Sequence, residues 1–269
     1  MVKQKSGTPP RHQARKRFGQ NFLTDAGVID RIERAIGAQA AEHVVEIGPG
    51  LGALTEALLH SGCRLDAVEL DRDLVTPLLA AFSVYDNFAL HSADALSFDF
   101  AGLADDGKRL RIVGNLPYNI STPLIFKLLA QADIIQDMHF MLQLEVVQRL
   151  SATPGSKHWG RLGIMTQYYC DTQLLFEVPP ESFDPAPKVQ SAIVRMTPRR
   201  QSPWPDCDPQ ALGRLVKAAF AQRRKTLRNN LKGLLSDSDL ASLSIDPGAR
   251  AESLTLDQFV ALAALTEAD

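Results

Sequence analysis

Little in this chain of 269 residues points to cross-linking, metal or membrane chemistry. Its three cysteines, Cys63, Cys170 and Cys207, are odd in number and far apart, which argues against a disulfide framework or a four-thiolate metal site. The histidines, His12, His43, His60, His91, His139 and His158, show no paired ligand spacing, so no metal is expected. No apolar run approaches the roughly twenty residues of a membrane span, and the polar start has no apolar core of the secretory kind. A soluble, cytoplasmic, monomeric protein is the expectation. Acids are missing from residues 1–17, which hold six Lys or Arg. Residues 195–232 hold ten Lys or Arg against Asp206 and Asp208, although the net charge is −2. A tail and a solvated helix face would account for either segment alone. Together, flanking an acidic body, they suggest a polyanion surface, with nucleic acid first among the candidates.

What the chain does have is VVEIGPGLG, Val44 to Gly52, an apolar strand running into three glycines at alternate positions. Gly48, Gly50 and Gly52 let the backbone turn tightly and approach a ligand at the end of a first parallel strand, before a helix expected over 51–59. Gly48, Gly50 and Ala53 also satisfy the dinucleotide fingerprint, so a nicotinamide-dependent oxidoreductase is a competing reading. Two features favour another ligand. Glu46 puts a carboxylate beside the loop where a pyrophosphate would lie, and like charges repel. Glu69, ending the strand of AVELD about twenty residues on, can accept both hydroxyls of a ribose. An adenosine carrying positive charge, such as S-adenosylmethionine, meets both conditions.

Strands and helices alternate from there as in a doubly wound sheet. Strands are expected at 65–70, 88–91, 110–113, 138–142, 172–178 and 189–196, and helices at 74–82, 123–129 and 145–150. Thr24 or Asp25 can cap a first helix bearing Val28, Ile29, Ile32 and Ile36, with Phe18, Phe22 and Leu23 as apolar anchors. Asp94 falls just past the third strand and suits either a cap or a ligand contact. Residues 153–161 suggest a flexible loop, and the four prolines of PPESFDPAPK a rigid mount for Phe183. A Pro-rich linker at 197–210 leads to a helical tail, one long or two shorter helices over 212–235, with Val216, Phe220, Leu227 and Leu231 on one face and Lys225, Arg228 and Lys232 on the other. A last helix is expected near 254–262.

NLPYN, Asn115 to Asn119, is the sharpest chemical signal. Pro117 fixes its own φ and pushes Leu116 into an extended conformation, so the Asn115 amide and the Leu116 carbonyl can point outward as paired acceptors. Two acceptors grip an exocyclic amine, make its nitrogen more tetrahedral and aim its lone pair, while Tyr118 offers a ring face to a flat base. An ordinary Asn-Pro type turn is the blander reading.

RFGQNFL, EIGPGLG, AVELD, Asp94 and NLPYNIS, in this order and spacing, resemble the ribosomal RNA adenine N(6)-dimethyltransferases from about Arg17 to the end. FAQRRKTLRNN, Phe220 to Asn230, is similar to the tail of the bacterial small-subunit (16S) branch, whereas methylases of large-subunit rRNA share the catalytic domain and usually differ there. The resemblance implies a Rossmann-like class I methyltransferase sheet with a small helical domain: an arm over 1–16, a catalytic domain over 17–200 and an RNA-binding helical domain over 201–269. By the same resemblance, Asn21 and Leu23 would contact the methionine end of S-adenosylmethionine, Gly48 and Gly50 would lie against it, Glu69 would hold the ribose and Asp94 the adenine amine. Asn115 would stand between cofactor and target, and Tyr118 and Phe183 would stack the target adenine. Arg17, Arg223, Arg224, Lys225, Arg228 and Lys232 would meet phosphates of 16S rRNA in the small ribosomal subunit. A nonenzymatic ribosome assembly factor is a further alternative.

Overall fold

The computed structural model describes residues 20–104, 107–204 and 207–266. Phe22–Leu23 (β1) enters α1, Ala26–Ile36, which Asp25 caps by accepting from Gly27 N and Val28 N. Val28, Ile32 and Ile36 recur at helical spacing and form the buried stripe of α1. Then come β2 (His43–Ile47), α2 (Ala53–His60), β3 (Arg64–Glu69), α3 (Arg72–Phe82), β4 (Phe88–Ser92), β5 (Leu110–Asn115) and α4 (Ser121–Leu129). The second helix begins at Ala53 instead of Leu51 because Gly52, in the left-handed region, occupies the cap position. Pro77 lies inside α3, which continues to Phe82. The chain continues through β6 (Ile135–Gln143), α5 (Leu144–Leu150), α6 (Arg161–Tyr169), β7 (Cys170–Val178), β8 (Phe183–Asp184) and β9 (Ser191–Pro198).

Seven strands pair in the order β4-β3-β2-β5-β6-β9-β7, parallel from β4 to β6, with β9 antiparallel between β6 and β7. A dinucleotide fold would be parallel throughout in the order 3-2-1-4-5-6. The chain crosses over between β4 and β5, so the carboxyl ends of β2 and β5 open a crevice where ligands of such sheets bind. Gly114 holds the two strands close there: a Cβ on it would lie 2.4 Å from the Ile47 carbonyl oxygen.

A second, two-stranded sheet joins β1 to β8, pairing Phe22 with Asp184 and Leu23 with Phe183. The Ser182 carbonyl accepts from Thr24 N at 2.9 Å, and the Ser182 hydroxyl donates to Asp25 Oδ2 at 3.2 Å. The start of the described chain is thereby fastened over the crevice.

Past residue 200 the helices are short: α7 (Pro209–Ala219), α8 (Leu227–Asn230), α9 (Asp237–Ser242) and α10 (Leu256–Leu265). The basic stretch expected to lie on one or two helices is mostly turns between α7 and α8. Val216, Leu227 and Leu231 are buried as expected, in a core separate from those on the two sheet faces. That core also recruits Ala152, Trp159, Ile164 and Met165, so the packing boundary does not follow a single cut at residue 201. The loop over 153–161, expected to be flexible, is tied to it: Trp159 Nε1 donates to the Leu254 carbonyl at 2.9 Å and Gly155 N to that of Glu252 at 2.7 Å. The linker is tied as well, with Trp204 stacked on Tyr168 at 5.6 Å between ring centres.

Candidate active site

The crevice is a cavity of about 360 Å³ at the carboxyl ends of β2, β3 and β5. Gly48, Gly50 and Gly52 all have positive φ there, a turn that an L side chain would strain. Asn21, Leu23, Gly48, Gly50, Glu69, Asp94, Asn115, Leu116, Pro117 and Tyr118 all line the cavity. Phe183 does not. It is 5% exposed and packs in the core with Phe22 and Ile193, whereas the sequence expectation makes it a stacking face. Its backbone pairs with Leu23.

Glu69, Asp94, Asn115 and Tyr118 each have a partner that orients them. Glu69 Oε1 accepts from Asp71 N at 2.7 Å and Oε2 from Gly50 N at 3.3 Å. Asp94 both caps and lines: Oδ1 accepts from Leu96 N at 2.9 Å while the residue faces the cavity, so the two roles read from its position coexist. Asn115 Nδ2 donates to the Asn21 carbonyl at 3.0 Å. A carbonyl can only accept, so this contact decides the amide's orientation and leaves Oδ1 as the acceptor. Leu116 is 1% exposed, and its N–H is held by the Met141 carbonyl at 3.2 Å. Tyr118 is half-buried, its hydroxyl 3.0 Å from Ser191 Oγ.

The electrostatics are one-sided. Glu46, Glu69 and Asp94 line the cavity, and no Lys or Arg among the described residues does. Glu46 is 2% exposed, and burial pushes its carboxyl up to about 7, helped by the Glu69 charge and opposed by the 2.6 Å hydrogen bond from Thr55 Oγ1. Burial also raises Glu69, against the hydrogen bonds from Asp71 and Gly50. His139, at the back of the cavity, is pushed down to about 4 by burial, with Asp137 opposing, and is therefore neutral near pH 7. Among the described residues no group of three or more His, Cys, Asp or Glu could hold a metal ion.

The profile described as "Ribosomal RNA adenine dimethylase" matches residues 11–267. The chain belongs to the ribosomal RNA adenine dimethylase family. It is 60% identical over 252 residues to Ribosomal RNA small subunit methyltransferase A of Pseudomonas aeruginosa, covering 94% of each chain. The same-named protein of Saccharophagus degradans is 59% identical, covering 93% of this chain and 94% of that one. Among solved structures, a dimethyladenosine transferase from Plasmodium falciparum is similar with a TM-score of 0.79 at 25% identity, covering 89% of this chain and 95% of that one. The 23S rRNA methyltransferase ErmE shares the fold, with a TM-score of 0.74 at 24% identity, covering 92% of this chain and all of that one.

For a member of the dimethylase family the wall chemistry fits S-adenosylmethionine. Acids without countercharge suit a sulfonium and an ammonium, and Glu69 and Asp94 are carboxylates on that wall. Sequence reasoning missed the Asn21 carbonyl, Ser191 and Met141 as parts of the site. Nothing local marks them, since a backbone group has no code and Ser191 and Met141 look like ordinary strand residues.

On the helical domain, Arg224, Lys225 and Lys232 are exposed with no partner among the described residues. Arg223 and Arg228 differ from the expected free cationic face. Arg223 Nη2 donates to the Lys157 carbonyl at 2.7 Å, and Arg228 Nε and Nη2 reach the Asp237 carboxylate at 3.0 and 2.7 Å. Arg17 and the arm over 1–16 lie outside the described residues. No helix among the described residues is long and apolar enough to cross a membrane.

Proposed function

We propose that this chain transfers methyl groups from S-adenosylmethionine to the N(6) amine of adenosines in small-subunit (16S) rRNA. The product is N(6),N(6)-dimethyladenosine, formed on a late ribosome assembly intermediate by a cytoplasmic monomer. The observation that carries the reading is the Asn115 amide, whose nitrogen end is occupied by the Asn21 carbonyl and whose oxygen end is left to accept. Near-full-length identity to small subunit methyltransferases favours the small subunit over the large.

When bound, S-adenosylmethionine supplies an activated methyl, so no nucleophilic side chain is required. Glu69 holds its ribose, Asp94 its adenine amine, Asn21 and Leu23 its methionine end, and Gly48 and Gly50 give the backbone clearance to approach it. Asn115 Oδ1 and the Leu116 carbonyl take the hydrogens of the target amine, with Pro117 limiting their motion. Tyr118 stacks the unstacked base, and Phe183 supports the site from behind by pairing with Leu23. Orientation and exclusion of water supply the acceleration, and water takes the proton released by the amine. Arg224, Lys225 and Lys232 meet RNA phosphates, and Arg223 and Arg228 can do so only by sharing or leaving their protein partners.

Offering labelled cofactor to unmethylated small subunits, mature large subunits and naked RNA tests the reading. Dimethyladenosine in small subunits alone is expected. Label confined to large subunits overturns the substrate, and full methylation by Asn115→Ala overturns the mechanism. Small-subunit binding without methylation by the wild-type protein would leave only an assembly role.

A further inference from the structure

Making dimethyladenosine requires the site to hold the same amine twice, the second time with a methyl already on it. Each transfer forms an N–CH₃ bond as the S–CH₃ bond breaks, with the electron pair remaining on sulfur and one N–H proton passing to water. After the first transfer the new methyl lies on the line of attack. It must move aside before a second donor can react, into the place of the hydrogen that was lost.

The sheet shows where there is room. Cross-strand neighbours make a row along its carboxyl edge: Gly48 beside Asn115, Asn115 paired with Met141, and Met141 paired with Ile193. All four line the cavity. With the donor over the glycine turn, the row runs from donor through acceptor to the floor beneath the base. The acceptor end cannot give way. Asn115 is tied to Asn21, the Leu116 N–H to the Met141 carbonyl, and Tyr118 to Ser191. Met141 is different: its backbone is fixed in the ladder, but its side chain is unbranched, with three rotatable bonds. Behind it His139, 3% exposed, has neither ring nitrogen hydrogen-bonded and faces the same cavity. Its nearest charged neighbour there is the Asp137 carboxylate, 3.8 Å from Nδ1 and beyond hydrogen-bond reach.

We infer that the Met141 side chain is the wall that yields to the first methyl, and so makes this site a dimethylating one where a stiffer wall would stop it at monomethylation. Met141 is thus a specificity-determining residue, an assignment that rests on the reading of Asn115 and Leu116 as amine acceptors.

The test measures first and second transfers separately, by mass spectrometry of nucleosides from small subunits presented unmethylated or monomethylated at N(6). In Met141→Phe, whose rigid ring fills the space, the second transfer is expected to fall at least tenfold further than the first, so that monomethyladenosine accumulates. Met141→Leu, flexible and of similar volume, should keep the wild-type ratio. Damage to the fold slows both steps together, so equal slowing, or an unchanged product ratio, overturns the inference. Should Met141→Phe fail to fold in a thermal melt, Met141→Ile decides the matter: its branched side chain has the volume of Met but is stiff at χ1, so it should move the ratio the same way by about threefold, and no movement counts against the proposal. Asn115→Ala run in parallel separates the two levels. If it retains both transfers the acceptor reading itself fails. If it is inactive while Met141→Phe still dimethylates normally, only the role of Met141 fails.

Discussion

Glu69 in the cavity and Arg228 on the helical domain are both charged residues that the sequence singles out, yet they are held in different ways. Two backbone N–H groups fix the Glu69 carboxylate, in a residue 6% exposed, whereas Arg228 leans on the exposed carboxylate of Asp237. The contrast extends to their surroundings. The cavity assembles acids and acceptors whose direction matters, set by contacts within the fold. The helical surface assembles cations whose number matters, on mobile side chains that salt screens. Chemistry that must place one hydrogen needs the first arrangement, and attraction to a polyanion needs only the second.

The largest expected effect tests the directional side. Asn115→Ala should lower methyl transfer by about 10²–10³-fold, the scale of losing one oriented group in a water-excluded site, with small-subunit binding within about threefold of wild type. Equal loss of binding and transfer would erase the contrast between the two regions. Next, Lys225→Ala with Lys232→Ala should weaken RNA binding about tenfold or more and make its salt dependence shallower by roughly one unit of slope per residue. Binding isotherms at three or more salt concentrations measure this, and an unchanged slope would remove both residues from the phosphate contacts.

Glu46 offers a smaller, pH-dependent effect. Its carboxyl, raised from 4.5 to about 7, keeps a proton in the folded ligand-free protein below about 7, so the resulting stabilisation is fully present below 4.5 and is lost as pH rises from there through about 7. A cationic ligand favours the ionised form. Cofactor binding should therefore release protons near pH 6.5 and weaken by up to about tenfold per pH unit below 7. Calorimetry in buffers of different ionisation enthalpy detects the release, and Glu46→Gln should abolish it. The smallest effect is expected at Arg228→Ala, below about threefold in RNA affinity, because Asp237 already shares its charge. A loss as large as that from Lys225→Ala would mean the ion pair opens on binding.

Much of this was legible before any coordinates. The alternation of apolar runs with helical stripes located the parallel strands and α1 to α5, because burial on both faces leaves continuous hydrophobic sequence. The glycine turn, Glu69, Asp94 and the NLPY stretch were legible because each stands at a strand end, the place that sheet topology turns into a wall. Helix α6 was not. RLGIMTQYY has no clear stripe, since Leu162 to Thr166 are all buried, and Gly163 within it serves a close approach, a Cβ there lying 2.5 Å from the Arg149 carbonyl oxygen. Nor could the inward turn of Phe183 be foreseen, because a two-residue strand has no period from which to read a face. The ion pair of Arg228 escaped for a similar reason, as Asp237 lies beyond turns in a stretch expected to hold one long or two shorter helices.

The little sheet of β1 and β8 makes the segment before α1 part of the cavity wall. Excising the residues up to Asp25 would spare every strand of the large sheet, while removing Phe22 from the core it shares with Phe183 and the Asp25 cap from α1. It would also take away the carbonyl that stops the Asn115 amide from spinning. Such a shortened enzyme should still bind nucleoside at Glu69 while presenting a random mixture of donor and acceptor to the incoming base.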